Sequence, residues 1–263
     1  MDKLVVKGGG KLRGEVSISG SKNAALPILA ATLLTDEKCV IKNVPQLRDV
    51  LTMIKILRAL GVKAQMSDNV AEIEPEGYKE YTAPYKLVST MRASICVLGP
   101  LVAKKRRAHV SIPGGCVIGP RPIDLHLKGI KALGADVKIE HGYVIAHAEH
   151  LRGNSIYLGG AFGSSVLATA NVMMAAVLAR GKTIIENAAC EPEIGDLSEF
   201  LKKMGARIDG AGTPLVEIEG VKKLGGAVHT VIPDRIEAGT YMVAGAMSHG
   251  DITVKDARFD HLG

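Results

Sequence analysis

Three short segments recur along the chain: Leu60-Gly-Val-Lys, Leu133-Gly-Ala-Asp and Met204-Gly-Ala-Arg. Their glycines, 61, 134 and 205, are 73 and 71 residues apart. Each segment closes a run with helical apolar spacing and opens a short alternating one. Upstream, an Ala-rich helical run precedes a strand-like segment in every case: Cys39-Val-Ile-Lys-Asn, His109-Val-Ser-Ile-Pro and Thr183-Ile-Ile-Glu-Asn. A second helix and two strands follow, as at 137–139 and 143–146. Chance supplies one such match; three in register predict three copies of one α/β unit. The units are too long for a solenoid, and the crossovers are too few for an eightfold α/β barrel. A fourth unit starts at Pro233-Asp-Arg-Ile-Glu-Ala-Gly-Thr, which reads as another first helix, and Asp251-Ile-Thr-Val-Lys reads as another strand.

Ahead of the first unit, 4–6 and 15–18 read as two strands around Gly8-Gly-Gly10, a turn without phosphate-loop spacing. Ser21 is placed to cap a helix running to about residue 34. With no Trp and only 3% aromatics, stacking platforms for single-stranded nucleic acid are not expected. The net charge of +6 suits anionic partners but does not choose among nucleic acid, acidic lipid and phosphorylated metabolites. The four cysteines, 39, 96, 116 and 190, form no CxxC and have no His at metal-ligand spacing, so no metal or cofactor is expected. The longest apolar runs, 24–34 and 166–179, are broken by Pro27 and Asn171 and fall short of a membrane span. The N-terminus lacks an apolar signal core, and a cytoplasmic setting is the expectation.

Three places carry candidate chemistry. In Ser111-Ile-Pro-Gly-Gly-Cys116-Val-Ile-Gly-Pro-Arg121-Pro-Ile-Asp124-Leu-His126 the glycines and prolines exclude regular structure across 113–120. Pro122 suits the first position of a helix that continues with apolar spacing from 123 to 133. Cys116 is then either a thiol activated by neighbouring cations or a small packed hydrophobe. Lys22 and Asn23 open the first helix, where they are either a solvated first turn or an anion site. Arg92, in Thr90-Met-Arg-Ala-Ser94, is either a structural ion pair or a ligand contact.

The stretch from Gly114 to His126 resembles the active-site loop of the UDP-N-acetylglucosamine enolpyruvyl transferases, and Ser21-Lys-Asn and Thr90-Met-Arg-Ala-Ser94 resemble further motifs of that family. The resemblance covers the whole chain. It implies an α/β fold, the enolpyruvyl transferase-type inside-out α/β barrel, with repeated α/β units whose helices lie inside and sheets outside. The implied reaction moves the enolpyruvyl group of phosphoenolpyruvate to the 3-hydroxyl of UDP-N-acetylglucosamine with release of phosphate. By the same resemblance, Lys22 and Asn23 bind phosphoenolpyruvate and Arg92 contacts substrate phosphate. Arg121, Pro122, Ile123, Asp124 and Leu125 contact uridine and diphosphate. Cys116 is implied as proton donor or nucleophile on a loop that closes over the nucleotide sugar.

Some positions depart from the family pattern. Gly163-Ser-Ser-Val keeps Ser165 and Val166 of a diphosphate contact but lacks its usual Lys and following Gly, and Cys190 stands where an Arg commonly precedes Glu-Pro-Glu-Ile. Family members carry six units, so the chain is expected to be an N-terminal fragment. Residues 21–229 would form the first domain. Residues 1–20 would belong to the second domain, which 230–263 begins, leaving both short of partners. The general-base Asp and two further arginines would lie beyond Gly263. Alternatives are a shikimate-pathway enolpyruvyl transferase, which lacks the cysteine loop, a non-catalytic nucleotide-sugar-binding module, and a nucleic-acid binder suggested by charge alone.

Overall fold

A computed structural model describes residues 3–114, 122–161 and 163–263. Cys116 and Arg121, with the loop closure expected around them, therefore lie outside the described residues.

The first unit comprises α1 (Lys22–Ala31), a 3-10 turn (Thr32–Leu34), β2 (Cys39–Lys42), α2 (Arg48–Ala59), β3 (Lys63–Ser67) and β4 (Val70–Glu74); β1 (Arg13–Ser17) precedes it. The second comprises β5 (Thr82–Ala83), α3 (Tyr85–Val88), a 3-10 helix (Arg92–Val97), α4 (Leu98–Lys105), β6 (Arg107–Ser111), α5 (Asp124–Ala132), β7 (Asp136–Glu140) and β8 (Tyr143–His147). The third comprises β9 (Ser155–Tyr157), α6 (Val166–Ala176), β10 (Lys182–Glu186), α7 (Pro192–Lys203), β11 (Arg207–Asp209) and β12 (Leu215–Glu219). Then come β13 (Val228–Thr230), α8 (Arg235–Met247), β14 (Asp251–Lys255) and a last 3-10 turn.

Gly61, Gly134 and Gly205 occupy one setting three times. Each follows a helix with positive φ (+91°, +94° and +104°). Each glycine N–H returns to the residue three back, and the next N–H reaches five back, to Leu57, Ile130 and Leu201. This is a Schellman closure, in which the left-handed residue is normally glycine. The repeat therefore appears in space as in sequence.

Each four-stranded sheet holds three antiparallel-paired strands and a fourth beside them, with orders β13-β2-β4-β3, β5-β6-β8-β7 and β9-β10-β12-β11. The fourth strand pairs in parallel and comes from the chain that follows the preceding unit; β13 returns to β2, with Val228 opposite Val40, and closes the ring. Strands such as β8 and β10 alternate buried and wet residues, so the sheets keep an outer face. α1, α6 and the 3-10 helix at Arg92–Val97 pack against one another inside. Nearly every residue of α1 and α6 is buried, which their Ala-rich apolar sequences permit on all faces. The expected helices-inside, sheets-outside arrangement is what is observed.

Three expectations need correction. Residues 4–6 form no strand: Leu4, Val5 and Val6 are exposed, with no ladder partner. The N-terminal strand and the tail do not lack partners, because β1 and β14 pair with each other in parallel, Arg13 opposite Asp251. Pro122 does not start a helix. α5 begins at Asp124, because the Pro122 carbonyl accepts from Arg92 Nη2 at 3.0 Å instead of entering the helical ladder.

Two crossovers run antiparallel beside the first unit, with Gly20 bridged to Pro233 and the Ser21 N–H donating to the Ile232 carbonyl at 2.7 Å. A Cβ on Gly20 would sit 1.7 Å from the Asn43 carbonyl oxygen, so only glycine fits. α7 anchors the returning strand. Asp196 accepts from His229 Nε2 at 2.9 Å and from the Ile232 N–H at 3.2 Å. Lys203 Nζ donates to His229 Nδ1, which fixes the tautomer.

Candidate active site

The repeat brings the first helices of successive units together at their N-termini. The Ser21 hydroxyl caps α1 by accepting from the Ala24 N–H, and the Ser165 hydroxyl caps α6 through the Ala168 N–H, both at 3.3 Å. The next residues, Lys22 and Val166, open those helices, and Arg92 opens the corresponding 3-10 helix. Asp234 caps α8 with bonds to the Ile236 and Glu237 N–H groups at 2.8 and 3.1 Å, so Arg235 holds the same position there. All four of these opening residues line one cleft of about 860 Å³.

Four cations (Lys22, Arg48, Arg92, Arg235) and two carboxylates (Asp49, Glu193) face this cleft. Both carboxylates are engaged: Lys22 Nζ is 3.0 Å from Asp49 Oδ2, and Arg235 Nε is 3.1 Å from Glu193 Oε1, which is buried. Helix N-termini add partial positive charge and unpaired backbone donors. The arrangement is built to hold anionic groups.

A second pocket of about 480 Å³ adjoins the first and shares Arg92, Val166 and Leu167 with it. One side is Pro122, Asp124 and Leu125; the other is Ser165 and Val166. Ile123 lines neither pocket and packs partly buried against the core. Gly163, where the family pattern is broken, has φ +84° and exchanges backbone bonds with Gly160. Lys22, Asn23 and Arg92 are thus together, and Pro122, Asp124, Leu125, Ser165 and Val166 are together beside them.

The model of the family described as EPSP synthase (3-phosphoshikimate 1-carboxyvinyltransferase) matches residues 6–263. The chain belongs to that family. Among its relatives, the UDP-N-acetylglucosamine 1-carboxyvinyltransferase of Methylacidiphilum infernorum is 56% identical over 263 residues, covering all of this chain and 62% of that protein. The protein of the same name from Geotalea uraniireducens is 55% identical over 262 residues, with the same coverage. The chain therefore spans about 62% of the length of these relatives. The enolpyruvyl transferase NikO from Streptomyces tendae shares the fold at TM-score 0.78 and 23% identity, over 89% of this chain and 55% of that one.

The EPSP synthase-family cleft includes residues that motif reading passed over. Arg48 and Asp49 open α2 behind Lys22, and Arg235 repeats the register of Lys22 after the sequence Pro233-Asp. Alignment of the fourth unit on the first would have found Arg235. Nothing local marks Arg48 or Asp49, since charged first turns are ordinary on helices. Among the described residues, no group of three or more His, Cys, Asp or Glu is arranged to hold a metal, and no helix is long and apolar enough to cross a membrane.

Proposed function

We propose that the chain forms one wall of the active site of a UDP-N-acetylglucosamine 1-carboxyvinyltransferase, acting in the cytoplasm at the first committed step of peptidoglycan synthesis. One observation carries the reading: the cations opening the repeated first helices line a single cleft, and that cleft runs into a pocket between α5 and α6. The names of the relatives at 55–56% identity point to the substrates.

In this reading Lys22, Asn23 and Arg92 hold the phosphate and carboxylate of phosphoenolpyruvate. Residues 121–125 with Ser165 and Val166 hold the uridine and diphosphate. The sugar 3-hydroxyl loses its proton to a base as its oxygen bonds to C2 of phosphoenolpyruvate. C3 gains a proton, for which Cys116 is the donor. Phosphate then leaves while C3 gives a proton back, restoring the enol. The cations offset the negative charge crowded at C2. The two carboxylates of the first cleft are tied to cations, so the base is sought elsewhere, in the part of the longer relatives that this chain does not span. Residues 21–229 form the first domain. Residues 1–20 and 230–263 belong to a second, a division that the β1–β14 pairing supports. No metal, cofactor, nucleic acid or membrane enters the reading.

The family's description favours a second acceptor, 3-phosphoshikimate. The cysteine-bearing stretch 114–119 argues against it. Calorimetric titration of the 263-residue chain with UDP-N-acetylglucosamine and with shikimate 3-phosphate separates the two. Binding of the nucleotide sugar alone is expected. Preference for shikimate 3-phosphate, or salt-sensitive heparin retention without nucleotide-sugar binding, would overturn the reading.

A further inference from the structure

The three units differ at one inward-facing point of their second helices. Eight residues before the Schellman glycine, α2 carries Met53 and α7 carries Leu197, both fully buried. α5 carries His126 there, 2% exposed. Five residues before the glycine, α2 and α7 carry Ile56 and Phe200, whereas α5 carries Gly129. A Cβ on Gly129 would meet Val172 Cγ2 of α6 at 2.2 Å, so a side chain there would force Val172 to move. At these two positions the first and third units carry buried apolar bulk, and the second does not.

In place of bulk, the second unit has a buried hydrogen-bond chain. Asn171 Nδ2 of α6 donates to His126 Nδ1 and to the Ile95 carbonyl, each at 3.0 Å, and Asn171 Oδ1 accepts from the Gly99 N–H at 2.6 Å. Asn171 is itself fully buried, and its counterpart in α1, counted from Lys22 and Val166, is Pro27. A buried polar chain is costly unless every member is satisfied, and it then fixes one geometry more sharply than apolar contact does. Apolar packing suffices to build the unit twice over, so fold alone does not call for the substitution here.

The consequence falls on the second pocket. Its two sides are the first turn of α5 (Asp124, Leu125) and the first turn of α6 (Ser165, Val166), and the His126–Asn171 bond joins those same two helices. We propose that His126 is a positioning residue: its bond to Asn171, with the close approach at Gly129, sets the α5–α6 separation and so the width of the pocket that takes the nucleoside diphosphate part of the substrate. The ligand class rests on the function proposed above; the positioning does not. Arg92 acts on the same first turn through the Pro122 carbonyl, so two separate tethers hold it.

The test substitutes His126→Leu, the residue the third unit uses, and His126→Gln, which keeps an acceptor. Hydrogen–deuterium exchange on the unliganded chain is read over 122–128 and, as a reference, over 196–203 of α7. Exchange in 122–128 should rise by about tenfold in H126L, roughly what one buried hydrogen bond supports, and partly recover in H126Q. The α7 reference should not change. Affinity for UDP-N-acetylglucosamine should fall by about tenfold in H126L, with inorganic phosphate binding at the Lys22 cleft unchanged. Unchanged exchange over 122–128, or an equal rise in both segments, would overturn the positioning role whatever the ligand. Faster local exchange in a chain whose wild type ignores the nucleotide sugar would support the positioning and sink the functional reading instead.

Discussion

Lys22 Nζ lies 3.0 Å from Asp49 Oδ2 on the wall of the cleft, each side chain about one-third exposed (36% and 35%). A pair this accessible contributes at most about 1 kcal/mol to stability. An incoming phosphate must compete with Asp49 for the ammonium. D49N is therefore expected to change the unfolding free energy by less than about 1 kcal/mol and to tighten inorganic phosphate binding by ~3–10-fold. Weaker phosphate binding in D49N would show that the carboxylate orients Lys22 for the anion instead of competing with it.

The Schellman glycines have φ between +91° and +104°, and a Cβ would meet nothing closer than 3.8 Å at any of them. The cost of alanine there is one of backbone conformation alone, about 1–2 kcal/mol. G61A, G134A and G205A should each lower stability by that amount, and by similar amounts, in urea unfolding. One neutral substitution among the three would break the equivalence of the units.

Thiol reactivity should divide by burial. Burial pushes the Cys39 thiol up to about 11 and the Cys96 thiol up to about 12, so neither presents thiolate near neutral pH. Cys190 is exposed. Iodoacetamide mapped by peptide is expected to label Cys116 first, then Cys190, with Cys39 and Cys96 protected until unfolding, and bound UDP-N-acetylglucosamine should change the Cys116 rate. Labelling of Cys96 in the native chain, or Cys190 ahead of Cys116, would contradict this.

The repeat of an α/β unit was legible in the sequence because glycine at a left-handed helix end is a local requirement, visible three times over, whereas the placing of helices inside and sheets outside came from the family resemblance. The Ser21 cap and the helix entry at Lys22 were legible for the same reason, since both are written within a few residues, but Lys22 and Asn23 as anion contacts were implied by the family resemblance alone. Pro122 misled. The residue that stops it starting a helix is Arg92, 30 positions away, and no local pattern records that bond. Residues 4–6 misled as well, because β-propensity without a neighbouring strand forms nothing. Arg48 and Asp49 enter the cleft only through the way the units pack, Arg235 is marked only by its register in the fourth unit, and Asn171 looked like a mere interruption of an apolar run.

Acid should destabilise the chain partly through His126. Its pKa is drawn down to about 3, chiefly by burial and secondarily by the charge of Arg92. Unfolded, the same side chain titrates near 6.5. Between those values the unfolded chain holds a proton that the native chain does not, so stability is full above about pH 6.5 and falls as pH drops through that window. H126L removes this contribution. Urea midpoints measured at about pH 7.5 and about pH 5 should differ more in the wild type than in H126L; equal acid slopes would show that His126 titrates alike in both states.

The central claim is that the residues opening the repeated first helices form the anion-binding wall. Calorimetric binding of UDP-N-acetylglucosamine and phosphoenolpyruvate to K22A and R92A tests it most directly. A control of matched charge loss is R106A or R180A, whose side chains line a different pocket, at the opposite ends of the first helices. Losses of ~10–100-fold are expected in K22A and R92A, the worth of one charge-assisted hydrogen bond, and less than about twofold in the controls. Equal losses in all four variants would mean that the ligands respond to net charge alone, and the cleft would not be the site.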